Sequence, residues 1–328
     1  MNAPIVTIFG GSGFVGRYVA RRMAKRGWRV RVAVRRPNEA LFVRPYGDVG
    51  QVEPVQANIR DDASTRRAMQ GATAVINCVG ILQENSRQSF AGVQVEGAAR
   101  IARLAAECGA ERLVHISAIG ADTGSDSAYA RTKAEGEAAV KAAFPTVTIL
   151  RPSVIFGPED EFFNRFAGMA RLSPILPLVG AETKFQPVYV DNVAEAACRA
   201  AAGEAAPGVF ELGGPHVYSF TELMEMMLAE TRRRRLLLPV PFFVARIIAG
   251  LLDLGQTLSF GLIDNRVLTR DQVRLLRHDN VVAEGASGLA ELGVAPISVG
   301  SVIGEYLYSY RPKGQYDAIT ESAARLKG

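Results

Sequence analysis

Cysteine and histidine are scarce in this sequence, and each shortage excludes a class of function. The three cysteines, Cys78, Cys108 and Cys198, lie far apart and form no CxxC pair, so we expect buried free thiols in a reducing compartment. The three histidines are equally scattered and lack the spacing of metal ligands. The sequence therefore predicts neither a disulfide framework nor a metal centre.

Charge of one sign and long apolar runs are also in short supply. The net charge is only +5, and the basic residues are too spread out to indicate binding to nucleic acid. A strand pattern begins at Ile5, so we expect no signal or transit peptide before it. The one long apolar stretch, residues 236–255, is interrupted by two prolines, Arg246 and Asp253, and falls short of a membrane span.

Strand and helix patterns alternate through the first half of the chain. Runs such as "IVTIF", "WRVRVAV" and "RLVHIS" are typical of buried strands, whereas "FAGVQVEGAARIARLAAECG" and "SAYARTKAEGEAAVKAA" are typical of helices. This alternation predicts an α/β fold, a Rossmann-type doubly wound parallel sheet with helices on both faces. Beyond Arg151 the rhythm breaks, and "QPVYVDNVAEAACRAAA" predicts a strand, a cap at Asp191 and a helix.

The change in pattern predicts two structural units. Residues 1–157, together with roughly 186–212, form a dinucleotide-binding Rossmann domain. Residues 158–185 and 213–328 form a smaller, mostly helical C-terminal lobe and tail. The chain is therefore expected to cross between the two units more than once.

A glycine-rich turn connects the first strand to the first helix. Gly10, Gly13 and Gly16 give the spacing GxxGxxG within "IFGGSGFVGRYVA". Gly10 allows the tight turn, Gly13 lets the backbone approach a pyrophosphate at the helix N-terminus, and Gly16 lets the helix pack close to the sheet. The strand before it and the helix after it favour a dinucleotide site over a plain flexible loop.

Arginines take the place of the usual acidic residue after the second strand. An NAD site has Asp or Glu there for the ribose hydroxyls, but this strand ends in "AVRRP", with Arg35 and Arg36. A guanidinium binds a 2′-phosphate through charge-assisted hydrogen bonds, and Arg17 is placed to join these two. The sequence predicts NADP(H) rather than NAD(H).

The segment "YARTK" places Tyr129 and Lys133 four residues apart, on one face of a predicted helix. A lysine ammonium near a phenol lowers the phenol's pKa and suits it to proton transfer near neutral pH. The pair therefore indicates an acid/base site, and the alternative is an ordinary surface pair of neighbours.

These residues resemble the short-chain dehydrogenase/reductase superfamily, in its extended or atypical branch, through "FGGSGFVG", "YARTK", "LRPSVIFGP" and "VYVDNVAEA". In that superfamily the lysine also holds the nicotinamide ribose, and the tyrosine works with a hydroxyl after the fifth strand. The resemblance places that hydroxyl at Ala118, one residue beyond Ser117, and the superfamily's helical Asn near Gln94. Two of four expected catalytic groups are thus in question, and we expect Tyr129 and Lys133 to be vestigial or conditional.

A narrower resemblance covers "VINCVGIL", "LRPSVIFGPEDEFFNRFA", "FELGGPHVYSFTEL" and "LTRDQVRLLRHDNVV". These segments are similar to the NADPH-binding accessory subunits of respiratory complex I, NADH:ubiquinone oxidoreductase. The resemblance implies a structural NADPH, without established hydride transfer, and partners among the complex I core subunits near the quinone site. It also implies a peripheral position on the cytoplasmic side of the bacterial inner membrane, or on the matrix side of the inner mitochondrial membrane.

Several alternatives stay open. Arg232 to Arg235 and the apolar residues up to 255 could meet a membrane lipid surface, pack on a partner subunit, or be buried in the protein's own core. The chain could also be a working NADP-dependent reductase, epimerase or dehydratase, or a redox sensor that binds NADPH. The predicted cofactor-binding residues are Gly10, Ser12, Gly13, Phe14, Val15, Gly16, Arg17, Arg35, Arg36, Asn58, Ile59, Val79, Gly80, Ser117, Tyr129, Lys133 and Pro152.

Overall fold

The computed structural model describes residues 3–85, 88–258, 268–312 and 314–316. Within these residues the strands are, in chain order, β1 Ile5–Phe9, β2 Arg29–Val34, β3 Val52–Gln56, β4 Ala74–Asn77, β5 Arg112–Ile116, β6 Thr148–Pro152, β7 Ile155–Phe156, β8 Ile175–Val179, β9 Lys184–Phe185, β10 Val188–Tyr189, β11 Gly208–Leu212, β12 Tyr218–Ser219 and β13 Leu236–Val240. The α-helices are α1 Phe14–Lys25, α2 Asp62–Met69, α3 Ala98–Glu107, α4 Ala128–Ala143, α5 Phe163–Leu172, α6 Val190–Ala202, α7 Phe220–Glu230, α8 Phe242–Leu258, α9 Arg270–Leu275 and α10 Val299–Leu307.

Seven of these strands form one parallel sheet in the order β11-β6-β5-β4-β1-β2-β3. The order reverses between β1 and β4, so connections leave these two neighbours towards opposite edges of the sheet. A crevice opens at such a switch point, outside the carboxyl ends of the strands. This confirms the predicted Rossmann-type doubly wound sheet and places the glycine turn after β1 at the crevice.

Alternate side chains of the strands supply two hydrophobic cores. Val6 and Ile8 of β1 pack with α1 and α6 on one face of the sheet, whereas Phe9 packs with α3 and α4 on the other. A strand buried on both faces reads as a continuous apolar run, which is why "IVTIF" was recognisable. The α1–α6 pair is also joined by charge, because Arg22 contacts both Asp191 oxygens at 2.6 Å.

The C-terminal lobe has a core of its own, built from α5, α7 and α10 around Phe156 and Phe163. Three short strand pairs lie outside the seven-stranded sheet: β7 with β10, β9 with β12, and β8 with β13. One later segment returns to the nucleotide side, where Leu289, Leu292 and Val294 are buried against the core that contains α1 and α6. The chain therefore crosses between the two cores repeatedly.

Three details differ from the sequence reading. Asp191 lies in the first turn of α6 and Tyr189 is the N-cap, because the Asp191 carboxylate pairs with Arg22 instead of capping the helix. Residues 91–97 wind as a π-helix before α3 begins. The apolar stretch 236–255 divides at Pro241 into β13 and α8, and no helix in the described ranges is long and apolar enough to cross a membrane.

Candidate functional site

The glycine turn is built so closely that side chains are excluded from it. Gly10 has a φ of +72°, in the left-handed region that favours glycine, and a Cβ at Gly16 would stand 2.3 Å from the Gly10 carbonyl oxygen. Gly13 is the N-cap of α1, and no side chain of the described residues caps that helix end. The first N–H groups of α1, at Phe14, Val15 and Gly16, are therefore available to an anion.

Three arginines lie close to this turn in the chain or in the sheet. The Arg17 side chain lies along the turn, donating to the carbonyl oxygens of Ser12 and Gly13 at 3.3 Å. Arg35 and Arg36 are exposed just beyond β2, and Arg36 forms an ion pair of 2.9 Å with Glu39. The start of α1 and the segment after β2 thus contribute three guanidinium groups next to the turn.

The remaining predicted residues stand at the carboxyl ends of the parallel strands, around the same crevice. Asn58 and Ile59 follow β3, Val79 and Gly80 follow β4, and Pro152 ends β6. These positions form one rim because the carboxyl ends of parallel strands lie at the same edge of a sheet. A Cβ at Gly80 would lie 3.3 Å from Lys133 Nζ, so the turn after β4 touches the lysine.

Tyr129 and Lys133 lie on α4, which begins at Ala128 because Ser127 caps it. Lys133 is buried, its Nζ donates to the Ile116 carbonyl oxygen at 3.3 Å, and the same atom lies 5.9 Å from the centre of the Tyr129 ring. Burial lowers the pKa of Lys133 to about 8, against the opposing charge of Glu137. Burial also raises the pKa of Tyr129 to about 12, so its phenol is protonated at neutral pH.

Ser117 follows β5 and has a hydroxyl without a partner. Only 4% of the residue is exposed, and its Oγ has no hydrogen-bond partner among the described residues. A buried hydroxyl left unpaired costs free energy, so such a group at a crevice marks a place where a ligand atom fits. Ala118, where the resemblance places the catalytic hydroxyl, has no hydroxyl to offer.

His115 and Asn77 form a second buried polar pair, on neighbouring strands β5 and β4. Their side-chain nitrogens are 3.1 Å apart, and the Asn77 side chain also accepts from the Val79 backbone N–H at 3.0 Å. Burial and the charge of Lys133 lower the pKa of His115 to about 3, so the ring is neutral at physiological pH. The pair links the ends of β4 and β5 beneath the crevice. Because both side chains are buried, they are not positioned to exchange a proton with solvent.

Gln94 connects the π-helical segment 91–97 to α4. It is buried, its Nε2 donates to the Ile81 carbonyl oxygen at 2.8 Å, and its Oε1 accepts from Thr132 at 3.0 Å. A Cβ at Gly136 would stand 2.1 Å from the Gln94 carbonyl oxygen, so α4 and the π-helical segment are in direct backbone contact. Because both its amide nitrogen and its amide oxygen are hydrogen-bonded, Gln94 helps to hold α4, the helix that carries Tyr129, in place.

One residue of this region was missed by sequence reasoning. Asp271, in α9, accepts hydrogen bonds from Ser127 Oγ at 2.8 Å, Ala128 N at 2.7 Å and Tyr129 N at 3.1 Å. A carboxylate from the C-terminal lobe therefore covers the N-terminus of the Tyr129 helix. The only signal was the capping pattern that opens "TRDQV", which locates α9 but not its partner.

The side chains described along α8 are less buried than those of a core helix would be. Along α8, Phe243, Ile247, Ile248 and Leu251 are 44–65% exposed, whereas the residues that pack inward are small, Ala245 and Ala249. Of the three alternatives for this stretch, burial in the protein's own core is therefore contradicted for these side chains. The exposed strand residues Leu236 and Leu238 of β13, with Ile175 of β8, extend the same apolar character.

Basic side chains accompany this apolar surface. A cavity of about 530 Å³ between α8 and α9 is lined by Arg246, Arg270 and Arg274 together with apolar side chains. Of the four consecutive arginines before β13, Arg233 and Arg235 donate to backbone carbonyl oxygens of the lobe. Two members of that run thus serve the fold, and the positive charge next to α8 comes largely from α8 and α9 themselves.

Comparison with known proteins shows which families and structures this chain is similar to. Residues 6–213 match the model of the NAD dependent epimerase/dehydratase family. The NADH-ubiquinone oxidoreductase 40 kDa subunit of Neurospora crassa is 31% identical over 95% of this chain and 80% of its own length. NADH dehydrogenase (ubiquinone) 1 alpha subcomplex subunit 9 of Arabidopsis thaliana is 34% identical over 94% of this chain and 79% of its own length. Among solved structures, dTDP-glucose 4,6-dehydratase of Bacillus anthracis with NAD gives a TM-score of 0.70 at 15% identity, covering 97% of this chain and 98% of its own.

Proposed function

Since the chain belongs to the NAD-dependent epimerase/dehydratase family, together with complex I subunits, we propose that it is a complex I accessory subunit holding structural NADPH. A ligand that binds only the folded state stabilises that state by mass action. The nucleotide would then act as part of the fold, and the respiratory complex would supply the chemistry.

The main support for a nucleotide site is the N-terminus of α1, which has no side-chain cap. The turn before this helix end is so close that it tolerates no side chain at Gly16. The backbone N–H groups there suit a pyrophosphate. Ser117 and Lys133 supply polar atoms deeper in the crevice, where the buried Oγ would gain a partner from a ribose hydroxyl. Nicotinamide dinucleotides, when bound, can exchange a hydride, and the residues present fit one.

The phosphorylated form of the dinucleotide is favoured by charge. Arg35 and Arg36 follow β2, and the first acidic residue after them, Glu39, is paired with Arg36. A carboxylate facing the ribose would repel a 2′-phosphate, whereas a guanidinium binds it with two parallel hydrogen bonds. The end of β2 therefore supports NADPH over NADH.

A structural role is favoured by the state of Tyr129. Its pKa is raised by burial, whereas acid/base catalysis is most efficient when the pKa of the group lies near the operating pH. The position expected to hold the assisting hydroxyl is Ala118, and Ser117 is turned into a buried site. Lys133 then has the task of holding ribose hydroxyls, without a proton relay to a substrate.

Attachment to the complex is assigned to the exposed surface of β13 and α8. We place it against core subunits near the quinone site, where the complex meets the membrane, with anionic lipid headgroups beside the arginines of α8 and α9. An apolar helix face flanked by basic side chains suits that boundary. The protein would be peripheral, on the matrix side of a mitochondrial inner membrane or the cytoplasmic side of a bacterial one.

The experiment is purification of the tagged protein from detergent-solubilised membranes, with mass spectrometry of the bound subunits and nucleotide. We expect core complex I subunits and NADPH close to one per chain. Leu251→Glu, on the exposed face of α8, should lose the subunits and keep the nucleotide. Val49→Glu, at an exposed residue before β3, is the matched control and should keep both. Recovery of the protein without either companion would contradict the proposal.

An active NADP-dependent reductase is the second candidate, because the Tyr129–Lys133 spacing is intact. It predicts oxidation of NADPH by a carbonyl substrate and loss of that activity in Tyr129→Phe. The structural role predicts no such turnover. A kinetic assay with carbonyl substrates therefore separates the two candidates.

A further inference from the structure

Asp271 is a cross-lobe contact at the start of the Tyr129 helix. Its two carboxylate oxygens accept from three donors, the Ser127 hydroxyl and the backbone N–H groups of Ala128 and Tyr129. The first N–H groups of a helix have no partner inside the helix, so an acceptor there stabilises the helix end. The helix already has a side-chain cap, since Ser127 Oγ accepts from Ala130 N at 3.3 Å. Asp271 therefore adds a second set of bonds that depends on the position of α9.

The position of α9 depends in turn on α8. Val273 of α9 is buried in one cluster with Ala245 and Ala249, the two small residues on the inward face of α8. The first backbone N–H of α9, at Arg270, donates to Asp253 of α8 at 3.1 Å. Arg277, just beyond α9, stacks over the Phe242 ring with its Cζ 5.6 Å from the ring centre. These contacts fix α9 against the inward side of α8, and the outward face of α8 is the exposed apolar surface.

The other end of the connection is the nucleotide crevice. Lys133 lies one turn after Tyr129 on α4, and its Nζ touches the strand end at Ile116 and the turn at Gly80. A shift of the first turn of α4 displaces Tyr129 directly and changes the depth to which Lys133 reaches. Contacts made on the outside of α8 therefore have a continuous physical path to the ribose side of the crevice.

We infer that Asp271 is a positioning residue that couples the docking surface of β13 and α8, through α9, to nucleotide binding. The inference rests on the proposed NADPH site. When α9 is seated, Asp271 holds the first turn of α4 in the arrangement that binds the nucleotide, and the bound nucleotide holds α9 in place. Such a coupling is reciprocal, so each binding event strengthens the other by the same factor. NADPH thus favours a subunit whose docking surface is ready for its partner.

The test measures NADPH affinity and amide hydrogen exchange on the full-length protein. Removing the carboxylate in Asp271→Ala should weaken NADPH binding about tenfold, within the range of known coupling between sites. Asp271→Asn keeps the size but only one acceptor oxygen, and it should give an intermediate affinity. In the wild type, NADPH should slow exchange across residues 268–277 about tenfold, and this slowing should vanish in Asp271→Ala.

Glu222→Gln is the matched control, because Glu222 accepts from Ser219 N at 2.6 Å in the capping box of α7, in the same lobe. It should lower thermal stability and leave NADPH affinity unchanged. The inference is overturned if Asp271→Ala binds NADPH as the wild type does, or if NADPH leaves exchange of 268–277 unaltered. A wild type that binds no NADPH refutes the proposed nucleotide site itself, which is a distinguishable result.

Discussion

Replacement of Lys133 by methionine should make the nucleotide-free protein more stable at neutral pH. The side chain is buried, and burial lowers its pKa from 10.5 to about 8. Each pH unit of such a difference corresponds to about 1.4 kcal/mol, so the charged ammonium costs at most about 3 kcal/mol at pH 7. Methionine has nearly the same length and no charge, and it removes this cost.

The sign of the pH dependence follows from proton binding. Between pH 8 and 10.5 the unfolded chain holds a proton on Lys133 that the folded chain has released, so the stability of the wild type rises with pH. The advantage of Lys133→Met should therefore fall from about 3 kcal/mol at pH 7 to about 1.4 kcal/mol at pH 9.5. Tyr129 acts in the opposite direction only above pH 10, because its raised pKa favours the unfolded chain there.

Urea denaturation without nucleotide, at pH 7, 8.5 and 9.5, measures this difference. Lys141→Met is the matched control, since Lys141 is exposed on the same helix, and its effect should stay within about 0.5 kcal/mol at every pH. The NADPH affinity of Lys133→Met should fall even as its stability rises, because the variant lacks the ammonium group that we propose binds the ribose hydroxyls. A variant that is less stable than the wild type at pH 7, or whose advantage does not narrow with pH, would refute the reasoning.

Three shorter predictions concern the crevice. Arg35→Glu should reduce NADPH affinity at least tenfold and leave NADH binding nearly unchanged, as measured by calorimetry with both nucleotides. Gly16→Ala places a Cβ 2.3 Å from the Gly10 carbonyl oxygen and should abolish copurification of nucleotide, whereas Gly168→Ala, in α5 where an added Cβ meets no atom within 4 Å, should not. Tyr129→Phe should leave NADH:ubiquinone oxidoreductase activity of the assembled complex within about twofold of the wild type, and a collapse of activity with normal assembly would argue for proton transfer.

The sheet and the glycine turn were predictable because their signals are local. β1 is a continuous apolar run, Gly10 and Gly16 follow at fixed spacing, and alternation of strand and helix restricts the topology. The Tyr129–Lys133 pair was recognisable for the same reason, since four residues on a helix bring two side chains to one face. What sequence reasoning could supply was thus the half of the site that lies within single elements.

The other half of the site depends on tertiary placement. Asp271 is 144 residues from Ser127 along the chain, and no local pattern joins a short helix in one lobe to a helix end in the other. The unpaired Ser117 hydroxyl depends on which side of β5 faces the crevice, and that register is set by packing. Asp191 resembled a cap, but an arginine on a helix distant in sequence draws its carboxylate away.

The return of Leu289, Leu292 and Val294 to the core around α1 and α6 has a consequence for synthesis of the chain. While the protein leaves the ribosome, the strands of the seven-stranded sheet emerge long before the segment that completes one of its two covers. During that interval an apolar surface of the nascent polypeptide is exposed, and it can bind chaperones or associate with other copies of the chain. A chain shortened before residue 289 would keep every predicted residue of the nucleotide crevice, and would still be expected to precipitate.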